Sequence, residues 1–154
     1  MIPKNKPVAI ITGAADGIGW ATAQLFAQRG YAVAIADLNA NKAMDRANNL
    51  GVGHLGLACN VCDESSAQTA VAAVLQQYQR IDALVNNAGI GDSSAPTVDQ
   101  SVAHFRSVLD VHLVGTFTMS RIAAQAMIAA DQTGAIVNFS SIAGFTGLPR
   151  RNAY

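Results

Sequence analysis

Short continuous apolar runs alternate along this chain with stretches whose apolar residues recur at helical spacing. Pro7 to Thr12 is an apolar run stopped by Gly13, which predicts a buried strand. From Gly17 to Arg29, Ile18, Ala21, Leu25 and Phe26 fall on one helical face, and Gly30 is the stop. Tyr31 to Ala36 is a second buried run ending at Asp37. Asn39 is placed to cap a helix from Ala40 to Leu50, closed by Gly51. Leu55 to Cys59 reads as a third, weaker strand, and Asp63 or Ser65 caps a helix to about Tyr78. Ile81 to Val85 is a fourth strand. A long helical stretch is expected from Asp99 to about Ala130, then a fifth strand from Ala135 to Phe139 and a loop to Tyr154.

Strands that are apolar throughout, alternating with helices, predict an α/β fold: a parallel sheet covered on both faces. With right-handed crossovers it is doubly wound, of the Rossmann type, with strand order 3-2-1-4-5. Ligands in such sheets bind beyond the carboxyl ends of the strands where the order reverses, here between the first and fourth. The distinctive residues sit at those ends: Gly13, Asp37, Asn60, Asn87, Ser140 and Ser141.

Composition narrows the function classes. The 154 residues suffice for one domain, and hydrophobic residues make up 51% against 13% charged, which excludes a disordered chain. Lys+Arg and Asp+Glu number 10 each, so no basic excess serves nucleic acid or an anionic membrane. Two cysteines cannot build a disulfide scaffold, and no apolar run reaches transmembrane length. The expectation is a cytoplasmic protein with no membrane or nucleic-acid partner. So apolar a chain is expected to bury surface against a partner subunit or further sequence.

The candidate chemistry begins in the loop after the first strand. In Thr12-Gly13-Ala14-Ala15-Asp16-Gly17-Ile18-Gly19, Gly13 allows a tight turn. Gly17 allows a pyrophosphate to approach the backbone, and Gly19 lets the helix lie close to the sheet. The helix N-terminus offers N–H groups and a positive dipole end to the phosphates. Without Gly-Lys-Ser/Thr it is not a nucleoside triphosphate loop. Asp37, at the end of the second strand, is placed to accept hydrogen bonds from the ribose 2′- and 3′-hydroxyls. Its carboxylate repels a 2′-phosphate, and Asp16 adds a second negative charge with no Arg or Lys expected beside either. The cofactor reading is therefore NAD rather than NADP.

These residues resemble the short-chain dehydrogenase/reductase family. The resemblance rests on T-G-x3-G-I-G at Thr12 to Gly19, on Asn60-Val61, and on N-N-A-G at Asn86 to Gly89. It rests also on a serine thirteen residues before a tyrosine, Ser141 and Tyr154. It implies that Ala15, Asp16, Ile18 and the loop glycines, with Asp37 and Leu38, bind the cofactor. Asn60 and Val61 contact the adenine, while Asn87, Ala88 and Gly89 lie near the adenosine ribose. Ser141 positions the substrate oxygen and Tyr154 is the acid/base.

The family's tyrosine is followed four positions later by a lysine that holds the nicotinamide ribose, which puts it past Tyr154. The chain is accordingly read as a single dinucleotide-binding domain over residues 1–154, C-terminally incomplete, with later strands and helices outside it. The fifth strand's open edge and the long helix are then expected to be uncovered. His112 stands where the family usually has an asparagine of the proton relay, and is read as its substitute. The resemblance also implies a homodimer or homotetramer and a small alcohol or carbonyl substrate.

The leading function is an NAD-dependent oxidoreductase acting between a secondary alcohol and a ketone. A 3-oxoacyl carrier-protein reductase is the alternative enzyme, and a non-catalytic nucleotide-binding or partner-binding half-domain the alternative of another class. Cys59-Asn60-Val61-Cys62 lacks further cysteines for a metal and is read as coincidence. No metal site is expected. Phe105, Leu109, Leu113 and Phe117 are assigned to core or subunit packing, and His54 and His104 to surface or strand-entry positions.

Overall fold

The computed structural model describes residues 6–154. Its strands are β1 (Val8–Thr12), β2 (Ala32–Asp37), β3 (Leu55–Ala58), β4 (Ala83–Asn86) and β5 (Ala135–Asn138). They form one five-stranded sheet in the order β3-β2-β1-β4-β5, every pair parallel. The helices are α1 (Gly17–Gln28), α2 (Ala40–Leu50), α3 (Glu64–Tyr78), α4 (Val102–Leu109) and α5 (Thr116–Ala129). The doubly wound topology read from the alternating runs is the one observed.

Strand alternation explains why the runs are apolar throughout. Val8, Ile10, Ala34 and Leu84 point to one face, where α3 and α5 supply Val71, Val74, Met119 and Ile122. Ile11, Val33, Ile35 and Val85 point to the other, packed with Ala23 of α1 and Ala43 and Ala47 of α2. Each fully buried Ile or Val contributes about 1.5–3 kcal/mol, so β1 and β2 alone anchor both layers. Small residues on α1 and α2 let those helices lie close to the sheet.

Helix ends follow the local chemistry. Asn39 caps α2, its side chain accepting from the Lys42 N–H, and Gly51 ends it at φ 102°. Asp63, not Ser65, caps α3, accepting from the Ser65 and Ser66 N–H groups. The long helix does not start at Asp99. Thr97–Asp99 is a single 3-10 turn, and Gln100 returns to extended backbone. There the Gln100 amide donates to the Ser93, Ala95 and Arg150 carbonyls. Ser101 then caps α4 through the His104 N–H. Between α4 and α5 the helix continues through a π-helical turn, Asp110–Gly115.

The long helix is covered on one face only. α5 buries Thr118, Met119, Ile122, Ala123 and Met127. Its other face exposes Phe105, Leu113 and Phe117, which are not core residues, and β5 exposes Ile136 and Val137. Among the described residues no helix is long and apolar enough to cross a membrane.

Asp82, just before β4, ties that strand to the start of β1. Its carboxylate accepts from the Val8 N–H at 2.7 Å and from the Arg80 guanidinium at 2.9 and 2.5 Å. Burial works to raise this carboxyl, but the Arg80 and Val8 bonds and the Arg80 charge outweigh it, holding it below the ordinary carboxylate range. A depressed folded-state value contributes stability above the unfolded value near ~3.9 and loses it as pH falls through the folded one. Asp82→Asn is therefore expected to destabilise by about 1.5–3 kcal/mol at neutral pH. The gap from the parent should close as pH falls below ~4. Urea midpoints measured from pH 7 to 3 check this; parallel curves at all pH would show that the pair contributes nothing.

Candidate active site

Five loops converge at the carboxyl ends of the strands, and β1 and β4 part there. The seam between them is held by side chains. Thr12 Oγ1 accepts from the Asn87 and Ala88 N–H groups at 3.0 Å each. Asn87 Nδ2 donates to the Thr12 and Gly13 carbonyls at 3.0 and 3.1 Å. The Asn87 amide is thus committed to the glycine loop as a strut, a part the sequence reading did not give it. Thr12 was visible in the motif without an assigned task.

The glycines divide their work as their surroundings require. Gly13 turns at φ +62°, and a Cβ there would stand 2.8 Å from Ala88 Cα. Gly19 faces backbone closely: a Cβ would run into Asn87 Nδ2 and the Gly13 carbonyl and lie 2.9 Å from Ala14 Cα. Gly17, at φ +52°, meets nothing within 4 Å. Open space beside a left-handed residue at the start of α1 is what a pyrophosphate needs to reach the backbone. Asp16 precedes α1 without a side-chain capping bond, so the first-turn N–H groups take no acceptor from it.

Two adjoining cavities occupy the convergence. The smaller, about 460 Å³, is lined by Gly13, Asp16, Gly17 and Ile18 from the first loop and by Asp37 and Leu38 from the second. Asn60 and Val61 close its far wall. The larger, about 780 Å³, is lined by His112, Ser141 and Tyr154 among others. Ile18, Asn87, Ala88, Gly89 and Ile90 border both, so the two make one cleft running from Asp37 to Tyr154. Two predicted cofactor residues, Ala15 and Gly19, stand outside its lining and act from behind. The Ala15 N–H donates to Asp37 Oδ2 at 3.0 Å, and Asp37 Oδ1 accepts from the Asn39 N–H. Those two bonds fix the carboxylate's orientation. Asn60 Oδ1 accepts from the Cys62 N–H in a local turn.

One expectation is overturned here. Asp16 does have basic neighbours: Lys42 forms an ion pair with it and Arg46 lies 3.5 Å away. The Lys42 hydrogen bond lowers the Asp16 carboxyl. Both cations come from α2, which folds back over the loop, and a separation of 26 residues hid the contact from a reading by neighbours in sequence.

At the other end His112 lies in the π-helical turn, a feature frequent at functional sites. Its Nε2 is 2.8 Å from the Ile90 carbonyl and 3.1 Å from the Ile90 N–H. Its ring meets that of Tyr154 edge to face, centroids 5.2 Å apart. Gly89 makes room for it, since a Cβ there would stand 2.6 Å from His112 Cε1. Ser141 Oγ accepts from the Ala143 N–H at 3.2 Å, which leaves its own proton to donate.

Asp92, whose side chain is fully buried, was not foreseen in this region. Its Oδ2 accepts from the Ala153 N–H, tying down the segment that carries Tyr154. Cys59 is buried with its Sγ 3.9 Å from Met119 Sδ, and burial pushes its thiol up to about 11. Both cysteines are free. A thiol so disfavoured as thiolate is poorly suited to redox exchange. Among the described residues no three His, Cys, Asp or Glu side chains are grouped to hold a metal.

Known proteins resemble this chain in sequence and fold. D-threitol dehydrogenase of Mycolicibacterium smegmatis is 42% identical over 150 residues, covering 96% of this chain and 57% of that protein. Galactitol 2-dehydrogenase of Agrobacterium fabrum is 38% identical over 143 residues, covering 93% of this chain and 56% of that protein. The chain thus spans little more than half the length of these relatives. The crystal structure of 3-ketoacyl-(acyl-carrier-protein) reductase from Brucella melitensis, complexed with NADH, superposes with a TM-score of 0.89 at 30% identity. That match covers 96% of this chain and 62% of the reductase. A family model described as short chain dehydrogenase matches residues 7–154. With nearly every described residue inside that match, the chain belongs to the short-chain dehydrogenase/reductase family.

Proposed function

We propose that this chain carries the cofactor site and the acid–base tyrosine of an NAD-dependent oxidoreductase acting between a secondary alcohol and a ketone. The observation that carries the reading is the single cleft joining Asp37 to Ser141, His112 and Tyr154. In it Asp37 holds the adenosine ribose hydroxyls, and the Gly13–Gly19 loop with the first turn of α1 takes the pyrophosphate. Asn60 and Val61 border the adenine. Bound nicotinamide supplies the hydride acceptor on oxidation and the donor on reduction. The Tyr154 oxygen takes the hydroxyl proton on oxidation and returns it on reduction, while Ser141 Oγ donates to the same substrate oxygen. His112, against the Tyr154 ring and the Ile90 backbone, continues the proton path.

The names of the two polyol-oxidising relatives support an alcohol substrate. The Brucella reductase favours a second reading, reduction of a 3-oxoacyl thioester. The exposed stripe of Phe105, Leu113 and Phe117 supports assembly into a homo-oligomer.

Asp37→Ala tests the cofactor assignment. NADH affinity is expected to fall roughly ten- to hundred-fold, the worth of hydrogen bonds to a charged group, and discrimination against NADPH to relax. Titration of NADH and NADPH fluorescence reads both. An unchanged preference would remove Asp37 from the ribose. Hydride exchange against a panel of polyols, cyclic alcohols and 3-oxoacyl thioesters separates the two substrate readings, and no exchange with any of them would leave a binding module.

A further inference from the structure

Two walls of the larger cavity come from distant parts of the chain. Ile90 and Asp92 belong to the loop after β4, and Leu148, Arg151 and Tyr154 to the segment after β5. Side chains stitch the two together. The Arg151 guanidinium donates to the Asp92 carbonyl at 3.2 Å, Asn152 Nδ2 to Thr97 Oγ1 at 3.0 Å, and Gln100 Nε2 to the Arg150 carbonyl at 3.2 Å. The stitch nearest the tyrosine is made by a carboxylate: Asp92 Oδ2 accepts from the Ala153 N–H at 3.2 Å. Asp92 is a costly group for that task, because its side chain is fully buried. Its Oδ1 lies 3.2 Å from His104 Nε2, but that ring nitrogen already takes the Ser93 N–H at 3.0 Å. A ring nitrogen that accepts has no proton to donate. Among the described residues Asp92 Oδ1 therefore has no hydrogen-bond donor.

We infer that Asp92 is a positioning residue for the proposed hydride transfer: by holding Ala153 it sets where the Tyr154 hydroxyl stands in the cavity it shares with Ser141. The inference rests on the acid–base reading of Tyr154 and carries it one bond further back. Burying a carboxylate with half its capacity unmet works against stability, and a neutral oxygen would meet the Ala153 N–H at lower cost. What the charged acceptor adds is a shorter and stronger bond to the amide, hence a firmer anchor. Tyr154 needs one. It is 46% exposed, and its ring meets His112 only edge to face, so the backbone before it governs where its hydroxyl lies.

The test compares Asp92→Ala with Asp92→Asn in the purified protein. Alanine removes the acceptor; asparagine keeps an oxygen for the Ala153 N–H and drops the charge. With a secondary alcohol that the parent oxidises, Asp92→Ala is expected to lower kcat roughly ten- to hundred-fold, the effect of misplacing a reacting group by about 1 Å. NADH affinity and the urea midpoint should hold, because the change relieves a buried charge and lies away from Asp37. The nuclear Overhauser contact between the His112 and Tyr154 rings, whose centroids are 5.2 Å apart, should disappear. Asp92→Asn should restore the ring contact and most of kcat. Parental kcat in Asp92→Ala overturns the inference, as does a loss of kcat with the ring contact intact. A loss that merely follows a fall in the urea midpoint makes Asp92 structural and overturns it too. Equal impairment of both variants does the same, since the charge and not the tether would then matter. A parent that binds NADH but oxidises no alcohol and reduces no ketone overturns the acid–base reading, and the ring contact then still decides whether Asp92 places Tyr154.

Discussion

Tyr154→Phe is expected to lower turnover of a secondary alcohol by roughly 10²–10⁴-fold, the range for loss of a positioned acid/base. The phenyl ring keeps the edge-to-face contact with His112, 5.2 Å between centroids, so the loss isolates the hydroxyl. NADH affinity should hold, because Tyr154 lines the Ser141 end of the cleft and not the Asp37 end. Steady-state turnover together with NADH fluorescence titration separates the two effects. Full activity in the variant would take the proton-transfer role away from Tyr154; a matching loss of NADH affinity would make the tyrosine a cofactor ligand instead.

Gly19→Ala carries the second large effect, and its cause is packing. The added methyl group runs into Asn87 Nδ2 and the Gly13 carbonyl, both part of the seam between β1 and β4. Neither neighbour is the free end of a flexible chain. Asn87 is tethered to Thr12 and Gly13, and the Gly13 carbonyl is backbone. The variant should lose about 1–3 kcal/mol or more to overpacking, and the displaced loop should lose NADH affinity with it. Gly17→Ala is the informative companion, since its cost comes from the left-handed backbone with no steric neighbour. Urea midpoints and NADH titrations of both variants check this. A Gly19→Ala protein of parental stability would show that helix α1 has room to shift.

Elements bounded by their own caps were legible. Asn39 and Gly51 delimit α2 through bonds to residues a few positions away, and the strand order followed from unbroken apolar runs. The candidate residues of the cleft were legible because a parallel sheet brings all its strand ends to one side. What escaped was set by contacts between distant segments. The long helix is expected from Asp99, but Gln100 is drawn out by carbonyls of residues 93, 95 and 150, and Ser101 caps the helix that follows. Lys42 and Arg46 meet Asp16 only because α2 lies over the glycine loop. The burial of Asp92 depends on the returning segment at Ala153. The π-helical turn had no signal, since residues 110–115 suit an α-helix equally well.

That turn makes the helix a matter of counting. From Val102 to Ala129 the chain is helical without a break, and the π-helical turn within it sets the phase of everything that follows. Each residue of a helix advances it by about 100°. A deletion or insertion of one residue between 110 and 115 would turn α5 by about that angle. Met119, Ile122 and Met127 would swing off the sheet, and exposed Phe117 and Ile128 would move with them. Substitutions at exposed positions here, such as Leu113, leave that phase intact. The segment therefore admits variation in identity and resists variation in length, whereas most surface connections tolerate both.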